Sequence, residues 1–350
     1  MRKILFIALV AIGCQSKNVS ESIIKLKPKY TTSPVQYDSD DPAIWINPID
    51  PAKSLILGTD KYEDEKGGIY VFDLEGKSID SLKVKGVDRP NNIDILHGVV
   101  WDSVKLDIAV FTERGKKRIR VYQLPEMKSI DGGGIPVFED SDSRAVMGVA
   151  LSWRKSDSTA YAIVSRKGEG SPANGYLYQY KLNLDSGKVS GELVRKFGKF
   201  SGGHGEIEAI AVDDQMGYIY YSDEWFGIRK YYVDPAMGDE ELASFGLDGF
   251  KEDREGISIY STSDSTGYIL VSDQQANVFR VFPREGTNKD LHEHPLIKVV
   301  PVSTNESDGS EVSSVSFNSD FPNGLFVAMS DDKTFQIYDW DDIQKLIDLP

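Results

Sequence analysis

Cysteine and histidine are scarce in this chain, which has one cysteine and four histidines in 350 residues. Cys14 lies in the N-terminal leader, so the fold can contain neither an internal disulfide nor a cysteine nucleophile. The chain also lacks a glycine-rich loop of the GxxxxGK[ST] type, and none of its histidines stands in an Arg-His-Gly context. Catalysis through a covalent cysteine or histidine intermediate is therefore not expected. The remaining possibility for catalysis is attack by a water molecule that a bound metal ion activates.

Positive charge is also in deficit, because 40 lysines and arginines face 55 aspartates and glutamates, giving a net charge of −15. Such an acidic chain is not expected to bind nucleic acid, whereas cations are expected partners. Most of these carboxylates are expected to lie on the protein surface, where they contribute to solubility.

Long apolar runs are missing except at the N-terminus, where Arg2 and Lys3 precede the apolar stretch Ile4 to Gly13. This pattern predicts a signal peptide over residues 1–13. Ala11-Ile-Gly-Cys14 is similar to a bacterial lipobox, so we expect an exported, cell-envelope lipoprotein whose contact with the membrane is the lipid on Cys14. Ordinary signal cleavage and secretion is the alternative. Residues 14–33 are polar and lysine-rich and read as a tether.

A strand–loop–strand unit recurs six times along the rest of the chain. Its second strands begin at Ile69, Ile119, Leu177, Ile228, Val278 and Phe335, which are 50, 58, 51, 50 and 57 residues apart. The third position after each start is Phe72, Tyr122, Tyr180, Tyr231, Val281 or Tyr338. A period near fifty residues with short apolar strands is typical of β-propellers. The sequence therefore predicts an all-β fold, a single six-bladed β-propeller with four-stranded antiparallel blades around a central channel.

The predicted propeller occupies residues 34–350 as one domain, which we expect to be monomeric. Lys25 to Tyr30 can supply the outermost strand of the last blade and so close the ring. Asp341 to Leu349 reads as a short helix with acidic residues at its start.

In such a blade the innermost strand starts at one face of the ring, and the loop between the second and third strands returns to it. Polar side chains at these positions should therefore surround one mouth of the channel. The strand starts offer Asp40, Asp41, Asn91, Asn92, Asp94, Glu206, Glu208, Asp253, Glu255 and Asp308, and the loops offer Lys61, Lys66, Glu113, Arg114, Arg166, Lys167, Asp223, Glu224, Asp273 and Gln274.

Hard oxygen ligands from separate segments, without cysteine or histidine, are the set that Ca²⁺ selects. We therefore expect several Ca²⁺ ions at the mouth. For any one carboxylate the alternative is capping of a turn. The lysines and arginines beside these carboxylates point to a small ligand with several phosphates, since arginine binds phosphate bidentately and lysine as a point charge. The alternative for them is salt bridging to neighbouring carboxylates, which we favour for Arg166.

With these residues in place, the chain closely resembles the β-propeller phytases, calcium-dependent enzymes that hydrolyse myo-inositol hexakisphosphate (phytate). The resemblance covers residues 35–340 and rests on Asp40-Asp-Pro-Ala-Ile-Trp45, Asn91-Asn-Ile-Asp94, Asp253-Arg-Glu-Gly256 and Phe321-Pro-Asn-Gly-Leu-Phe-Val327. It implies phosphate-binding roles for Lys61, Lys66, Arg114 and Lys167. It implies calcium ligation by Asp40, Asp41, Asn91, Glu208, Glu224, Asp253, Glu255, Gln274 and Asp308, with Glu208 and Glu224 also counted as catalytic.

The chain departs from the family pattern at four places. Met147 stands where the family often has a tyrosine beside the phosphates, and Tyr62-Glu-Asp-Glu65 is an insertion after Lys61. Ser171-Pro-Ala-Asn174 lengthens the loop after Lys167, and a single acidic-Gly pair, Asp308-Gly309, stands where some members have two. A peripheral structural Ca²⁺ is therefore expected to be missing.

The sequence thus predicts a phosphomonoesterase acting on phytate or calcium-phytate, a 3-phytase. Two other functions remain open. One is a Ca²⁺-dependent lactonase or esterase on the same fold, and the other is a non-catalytic propeller that binds anionic ligands or a protein partner.

Overall fold

The computed structural model describes residues 25–101, 103–167, 175–202 and 205–349. The predicted signal peptide, Cys14, His204 and the Ser171–Asn174 insertion lie outside these ranges. In the described part of the chain, no helix is long and apolar enough to cross a membrane.

The strands form six antiparallel sheets, which we number as blades 1 to 6. The chain enters through a two-residue strand, β1 (Tyr30–Thr31), which belongs to blade 6. Blade 1 contains β2 (Ser39–Trp45), β3 (Leu55–Asp60), β4 (Gly67–Phe72) and β5 (Val84–Val87). Blade 2 contains β6 (Pro90–Trp101), β7 (Val104–Glu113), β8 (Arg118–Leu124) and β10 (Ile135–Pro136), with the short strand β9 (Lys128–Ser129) also paired to β8.

Blades 3 to 6 follow in chain order. Blade 3 contains β11 (Ala145–Arg154), β12 (Thr159–Lys167), β13 (Leu177–Asp185) and β14 (Lys188–Phe197). Blade 4 contains β15 (Ile210–Asp213), β16 (Tyr218–Asp223), β17 (Gly227–Tyr232) and β18 (Ala243–Phe245). Blade 5 contains β19 (Arg254–Ser261), β20 (Gly267–Asp273), β21 (Val278–Pro283) and β22 (Lys298–Pro301). Blade 6 contains β23 (Ser310–Ser313), β24 (Leu325–Ser330), β25 (Thr334–Asp339) and β1.

The ring is closed by strands from both ends of the chain, although the N-terminal strand is Tyr30–Thr31 and not the whole stretch Lys25 to Tyr30. Tyr30 and Thr31 pair with Ile337 and Gln336 of β25, so blade 6 has no open edge at this seam. The C-terminal helix α1 (Trp340–Asp348) begins after Asp339, whose side chain accepts a hydrogen bond from the backbone N–H of Asp341. Short 3-10 helices occupy Pro51–Lys53, Asp80–Leu82, Pro235–Met237 and Gln274–Ala276.

The core is divided among the interfaces between neighbouring blades, because residues of one strand alternate between the two faces of its sheet. In β3, Leu55 and Leu57 pack toward blade 2, whereas Ile56 packs toward blade 6. The same alternation runs through the other blades and gives six apolar clusters, one for each pair of neighbours. Each blade is thus stabilised by both neighbours, which is why the repeat needs a closed ring.

The recurrent position in the third strand of each blade is buried in every copy. Phe72, Tyr122, Tyr180, Tyr231, Val281 and Tyr338 are at most 8% exposed. The sequence repeat therefore marks the interfaces between blades.

Candidate active site at the channel mouth

The starts of the innermost strands and the loops between second and third strands meet at one mouth of the channel, as predicted. Asp40 and Asp41 lie at the start of β2, and a small recess beside them is also lined by Glu208, Glu255 and Asp308. These residues come from four different blades or blade starts. The ring brings them together although they are separated by more than two hundred residues in the chain.

Close contact between neighbouring backbones makes this arrangement possible. A Cβ atom at Gly148 would lie 1.8 Å from the carbonyl oxygen of Glu208, and one at Gly309 would lie 2.1 Å from Asp41 Oδ1. Glycine is thus required at both places, because any side chain would push an acidic residue of the mouth out of position.

Asn91 joins three blades at the mouth. Its Nδ2 donates to Glu208 Oε1 at 3.0 Å and to Asp40 Oδ2 at 3.2 Å. Its own Oδ1, like that of the adjacent Asn92, is buried and has no hydrogen-bond partner among the described residues. A buried amide oxygen without a donor is unfavourable unless a cation or water binds it.

A second acidic group lies on the blade 4 side of the mouth. Carboxylate oxygens of Glu206, Glu208 and Glu224 lie within 4.8 Å of one another. Glu224 Oε2 also accepts from the backbone N–H of Glu206 at 2.7 Å. Glu206 was expected at the mouth from its place at a strand start, but it is not among the ligands that the family resemblance implies. Its position two residues before Glu208, on the same side of an extended segment, was the available signal.

Gln274 and Asp253 extend this group toward blade 5. The Gln274 amide donates to Asp308 Oδ1. The amide of Gln275 bridges Gln274 Oε1 and Asp253 Oδ2, at 2.6 Å from each. Asp253 also accepts from the indole N–H of Trp225 at 2.8 Å.

Burial and mutual repulsion raise the pKa values of the mouth carboxyl groups. Burial, and then repulsion from Asp40, raises the pKa of Glu208 to about 7. Burial, with repulsion from Glu208 and Glu206, raises the pKa of Glu224 to about 9. The pKa values of Asp41, Glu255 and Asp308 are also raised well above the usual range, chiefly by burial. Such a cluster favours a bound cation, because a cation offsets both the repulsion and the loss of hydration.

The donor set fits Ca²⁺. The described acidic recess of the mouth offers carboxylate and amide oxygens without a cysteine or a histidine, and the side-chain oxygens of Asn91 and Asn92 are buried without a partner among the described residues. Several hard oxygens from a rigid frame suit calcium better than zinc or copper.

Two of the four predicted phosphate-binding cations, Lys61 and Lys167, form ion pairs with these carboxylates. The ammonium of Lys61 contacts Asp40 and is 3.7 Å from Asp308 Oδ2. Although burial alone would lower it, the pKa of Lys61 is raised by Asp40 and Glu208. Lys167 forms an ion pair with Glu206.

Arg114 lies partly buried at the mouth, and its Nε donates to the carbonyl oxygen of Val146 at 3.4 Å. Its pKa is lowered, first by burial, while Glu208 and Asp40 act to raise it. Its guanidinium contacts the sulfur of Met147, which occupies the position where a tyrosine was expected. Met147 thus packs on Arg114 and gives the site no hydroxyl there.

Lys66 has a different environment. Its ammonium lies 3.6 Å from Asp64 and 5.7 Å from the ring centre of Tyr62, and its side chain is about half exposed. Its role at the mouth stays a prediction.

Two neighbouring residues lie in other surroundings than the mouth carboxylates. Asp94 lies deeper than the mouth, where its oxygens accept from the backbone N–H groups of Ile95 and Leu151, both at 2.6 Å. Arg166 was expected in a salt bridge; within the described ranges it forms no ion pair, and its guanidinium lies among the rings of Phe138, Tyr176 and Tyr178. Arginine stacks readily on aromatic faces, which explains the difference.

A six-bladed propeller with carboxylates, amides and cations gathered at one mouth defines the class of this protein: an all-β ring with a charged site at one mouth of its channel. The Phytase family model matches residues 3–348, nearly the whole chain. The chain belongs to the Phytase family. It is also similar to the 3-phytase of Bacillus subtilis (strain 168), with 28% identity over 371 residues, covering 99% of this chain and 92% of that protein.

Among solved structures, a chain of the "Crystal Structure of Mitotic Checkpoint Complex" aligns with 97% of this chain and 99% of its own length. The TM-score is 0.49 and the identity 10%, so this similarity carries no argument about function.

Proposed function

We propose that this protein is a calcium-dependent 3-phytase, which releases phosphate from phytate by hydrolysis at the channel mouth. The single observation that carries the proposal is that Lys61 and Lys167 form ion pairs with a carboxylate and amide cluster fit for Ca²⁺, while the charge of Arg114 is influenced by Glu208 and Asp40 of the same cluster. Membership of the Phytase family and similarity to a 3-phytase support the same activity.

The cations of the mouth would bind and orient the substrate. In hydrolysis the bond between phosphorus and the inositol oxygen breaks, and water supplies an oxygen to phosphate and a proton to the alcohol. Charge spreads over the phosphate oxygens in the transition state, so positioned cations are the main catalytic need. Lys61, Arg114 and Lys167 meet that need from blades 1, 2 and 3. Lys66 would hold a neighbouring phosphate.

The carboxylates would hold the metal. Asp40, Asp41, Glu208, Glu224, Glu255 and Asp308 supply acidic oxygens, and Asn91, Asp253 and Gln274 complete the set proposed from the sequence. Calcium bound there would attract phosphate oxygens and acidify a nearby water molecule. The negative charges of the mouth carboxylates and of the substrate phosphates repel each other, so the two can lie side by side only when a bound cation offsets both sets of charge.

The proposal is tested by measuring phosphate release from phytate with calcium, with EGTA, and after calcium is added back. We expect release with calcium, loss with EGTA and recovery on add-back. Hydrolysis of lactones or nitrophenyl esters without phosphate release would favour the esterase alternative. Binding of phytate without release would favour a non-catalytic propeller. Release that is unaffected by EGTA would contradict calcium dependence.

We further propose that the protein is exported through residues 1–13, carries a lipid on Cys14 and acts as a monomer. The apolar leader and the Ala11-Ile-Gly-Cys14 motif support export and lipidation. The mass of the mature N-terminal peptide tests both: a diacylated Cys14 is expected, and an unmodified N-terminus elsewhere would contradict lipidation. Light scattering of the catalytic domain tests the monomer.

A further inference from the structure

The turn between β3 and β4 pairs three carboxylates with three cations. We call Glu63, Asp64 and Glu65 the acidic turn. Its partners are Arg89 Nη1 at 2.8 Å from Glu63 Oε1, Lys66 Nζ at 3.6 Å from Asp64 Oδ2, and Lys116 Nζ at 2.7 Å from Glu65 Oε1. Arg89 lies before β6 and Lys116 in the loop after β7, so the acidic turn of blade 1 contacts blade 2.

The backbone on both sides of this contact adopts an unfavourable conformation. Asp64 and Glu65 each have φ +58°, and Arg89 has φ +54°. The left-handed region is unfavourable for non-glycine residues, because the Cβ atom then crowds the following carbonyl oxygen. Arg89 also precedes Pro90, and the residue before a proline is normally extended. Because the unfavourable backbone conformation occurs at three residues of one contact, we infer that the positions of these side chains serve a function.

Arg89 is linked directly to the mouth. Its carbonyl accepts from the backbone N–H of Arg114 at 3.0 Å, and its own N–H donates to the carbonyl of Tyr62 at 2.8 Å. The positive charge of Arg89 also adds to burial in lowering the pKa of Arg114. The side chain of Arg89 is 32% exposed, so a bound anion can reach it.

The ion pairs of the acidic turn are easily exchanged. The side chains of Glu63, Asp64 and Glu65 are 67%, 80% and 59% exposed, and exposed pairs contribute little to stability. A phosphate carries more charge than a carboxylate and binds a guanidinium bidentately.

We propose that Arg89 is a further phosphate-binding residue of the mouth, and that Glu63 is the resident counter-ion which a substrate phosphate displaces. This inference rests on the proposed function and refines its specificity. A substrate with several phosphates can contact Arg89 and Arg114 at the same time. A substrate with a single phosphate contacts only Arg114 and the cations beside it. The acidic turn therefore weakens binding of highly phosphorylated substrates, and Arg89 strengthens it.

The direct test is calorimetric binding of myo-inositol hexakissulfate, a polyanion that is not a phosphate ester, in the presence of calcium. Glu63→Gln should bind it about fivefold more tightly, which corresponds to about 1 kcal/mol. Arg89→Ala should bind it at least about fivefold more weakly, and the double variant should match Arg89→Ala. Glu75→Gln is the matched control, since Glu75 is an exposed partner of Lys77 on the same blade, and should bind as the wild type does.

Steady-state kinetics give an independent measurement. Arg89→Ala should raise the KM for phytate by a larger factor than it lowers kcat/KM for p-nitrophenyl phosphate, and Arg89→Lys should restore part of the loss for phytate. The inference is overturned if Arg89→Ala binds the hexasulfate as the wild type does, or if Glu63→Gln behaves like Glu75→Gln. Absence of phosphate release by the wild type would instead count against the proposed function, because the calorimetric comparison does not depend on turnover.

Discussion

The amide of Asn91 donates to Glu208, 117 residues later in the chain, at 3.0 Å, while its own oxygen is buried without a partner among the described residues. The Asn91 amide nitrogen thus holds the Glu208 carboxylate in place, and the Asn91 amide oxygen remains available to bind a cation. Calcium bound at the mouth would satisfy that oxygen and reduce the repulsion among the carboxylates. This relationship connects the stability of the ring with its proposed catalysis.

Calcium is expected to stabilise the folded protein, because the ligands meet only in the closed ring. A ligand present at one hundred times its dissociation constant adds about 2.7 kcal/mol when it binds only the folded state. Thermal melts with calcium, with EGTA and after calcium add-back measure this effect. Magnesium is the control, since its smaller octahedral shell fits this kind of site less well. Equal melting temperatures with calcium and EGTA would rule out tight binding at the mouth.

Replacing Glu255 by glutamine is expected to have opposite effects with and without calcium. Glu255 is buried, and Glu224 and Asp308 add to burial in raising its pKa. Without calcium, Glu255→Gln should stabilise the fold by on the order of 1 kcal/mol, since it removes a buried like charge. With calcium, the stabilisation by the metal should decrease. Urea unfolding at pH 8 in both conditions measures the two effects, with Glu75→Gln as the exposed control. A loss of stability in EGTA would contradict the repulsion argument.

Arg114 is expected to be the cation on which turnover depends most. Arg114→Ala should lower kcat for phytate by roughly 10²–10³-fold, the usual loss for one preorganised donor in the transition state. Arg114→Lys should keep part of the activity, because it retains charge but not bidentate geometry. Arg154→Ala is the control, since Arg154 lies at the end of β11, the innermost strand of blade 3, away from the strand start that faces the mouth, and it pairs with Asp157. A folded Arg114→Ala protein with full turnover would remove Arg114 from the mechanism.

The pH dependence of stability should include a contribution from His294, far from the mouth. Its Nδ1–H donates to the carbonyl of Pro283 at 2.7 Å, and its Nε2 lies 3.1 Å from Lys230 Nζ. Burial, together with the charge of Lys230, lowers the pKa of His294 to about 4. The unfolded chain therefore binds a proton at higher pH than the folded protein does, near the usual value of about 6.5.

This contribution is fully present above pH 6.5 and is lost as the pH falls toward 4, by up to about 3 kcal/mol. Urea unfolding of the wild type and of His294→Gln between pH 7.5 and 4.5 tests it. The wild type should be the more stable protein at pH 7.5, and the difference should shrink as the pH falls. A difference that stays constant with pH would show that the imidazole does not titrate in this range.

Much of the architecture could be predicted from local sequence. The six copies of the strand–loop–strand unit, spaced near fifty residues, predicted six blades. The repeat is visible in the sequence because each blade repeats the same alternation of apolar residues between two interfaces. The polar residues at strand starts and loops were likewise predicted to meet, since blade geometry places them at one mouth. Asp40, Asn91, Glu208 and Lys61 were recognised in this way.

Other features were decided only by the closed ring. Glu206 joins Glu208 and Glu224, Asp94 lies deeper in the channel, and Arg166 stacks on aromatic rings. Arg89 pairs with Glu63 of the acidic turn and is hydrogen-bonded through its backbone to Arg114. The sequence pattern did not single out Arg89. Sequence determines which side chains are available and on which side of a strand they lie. Their partners come from other blades, so distances, burial and charge at the mouth are determined only when all six blades are packed together.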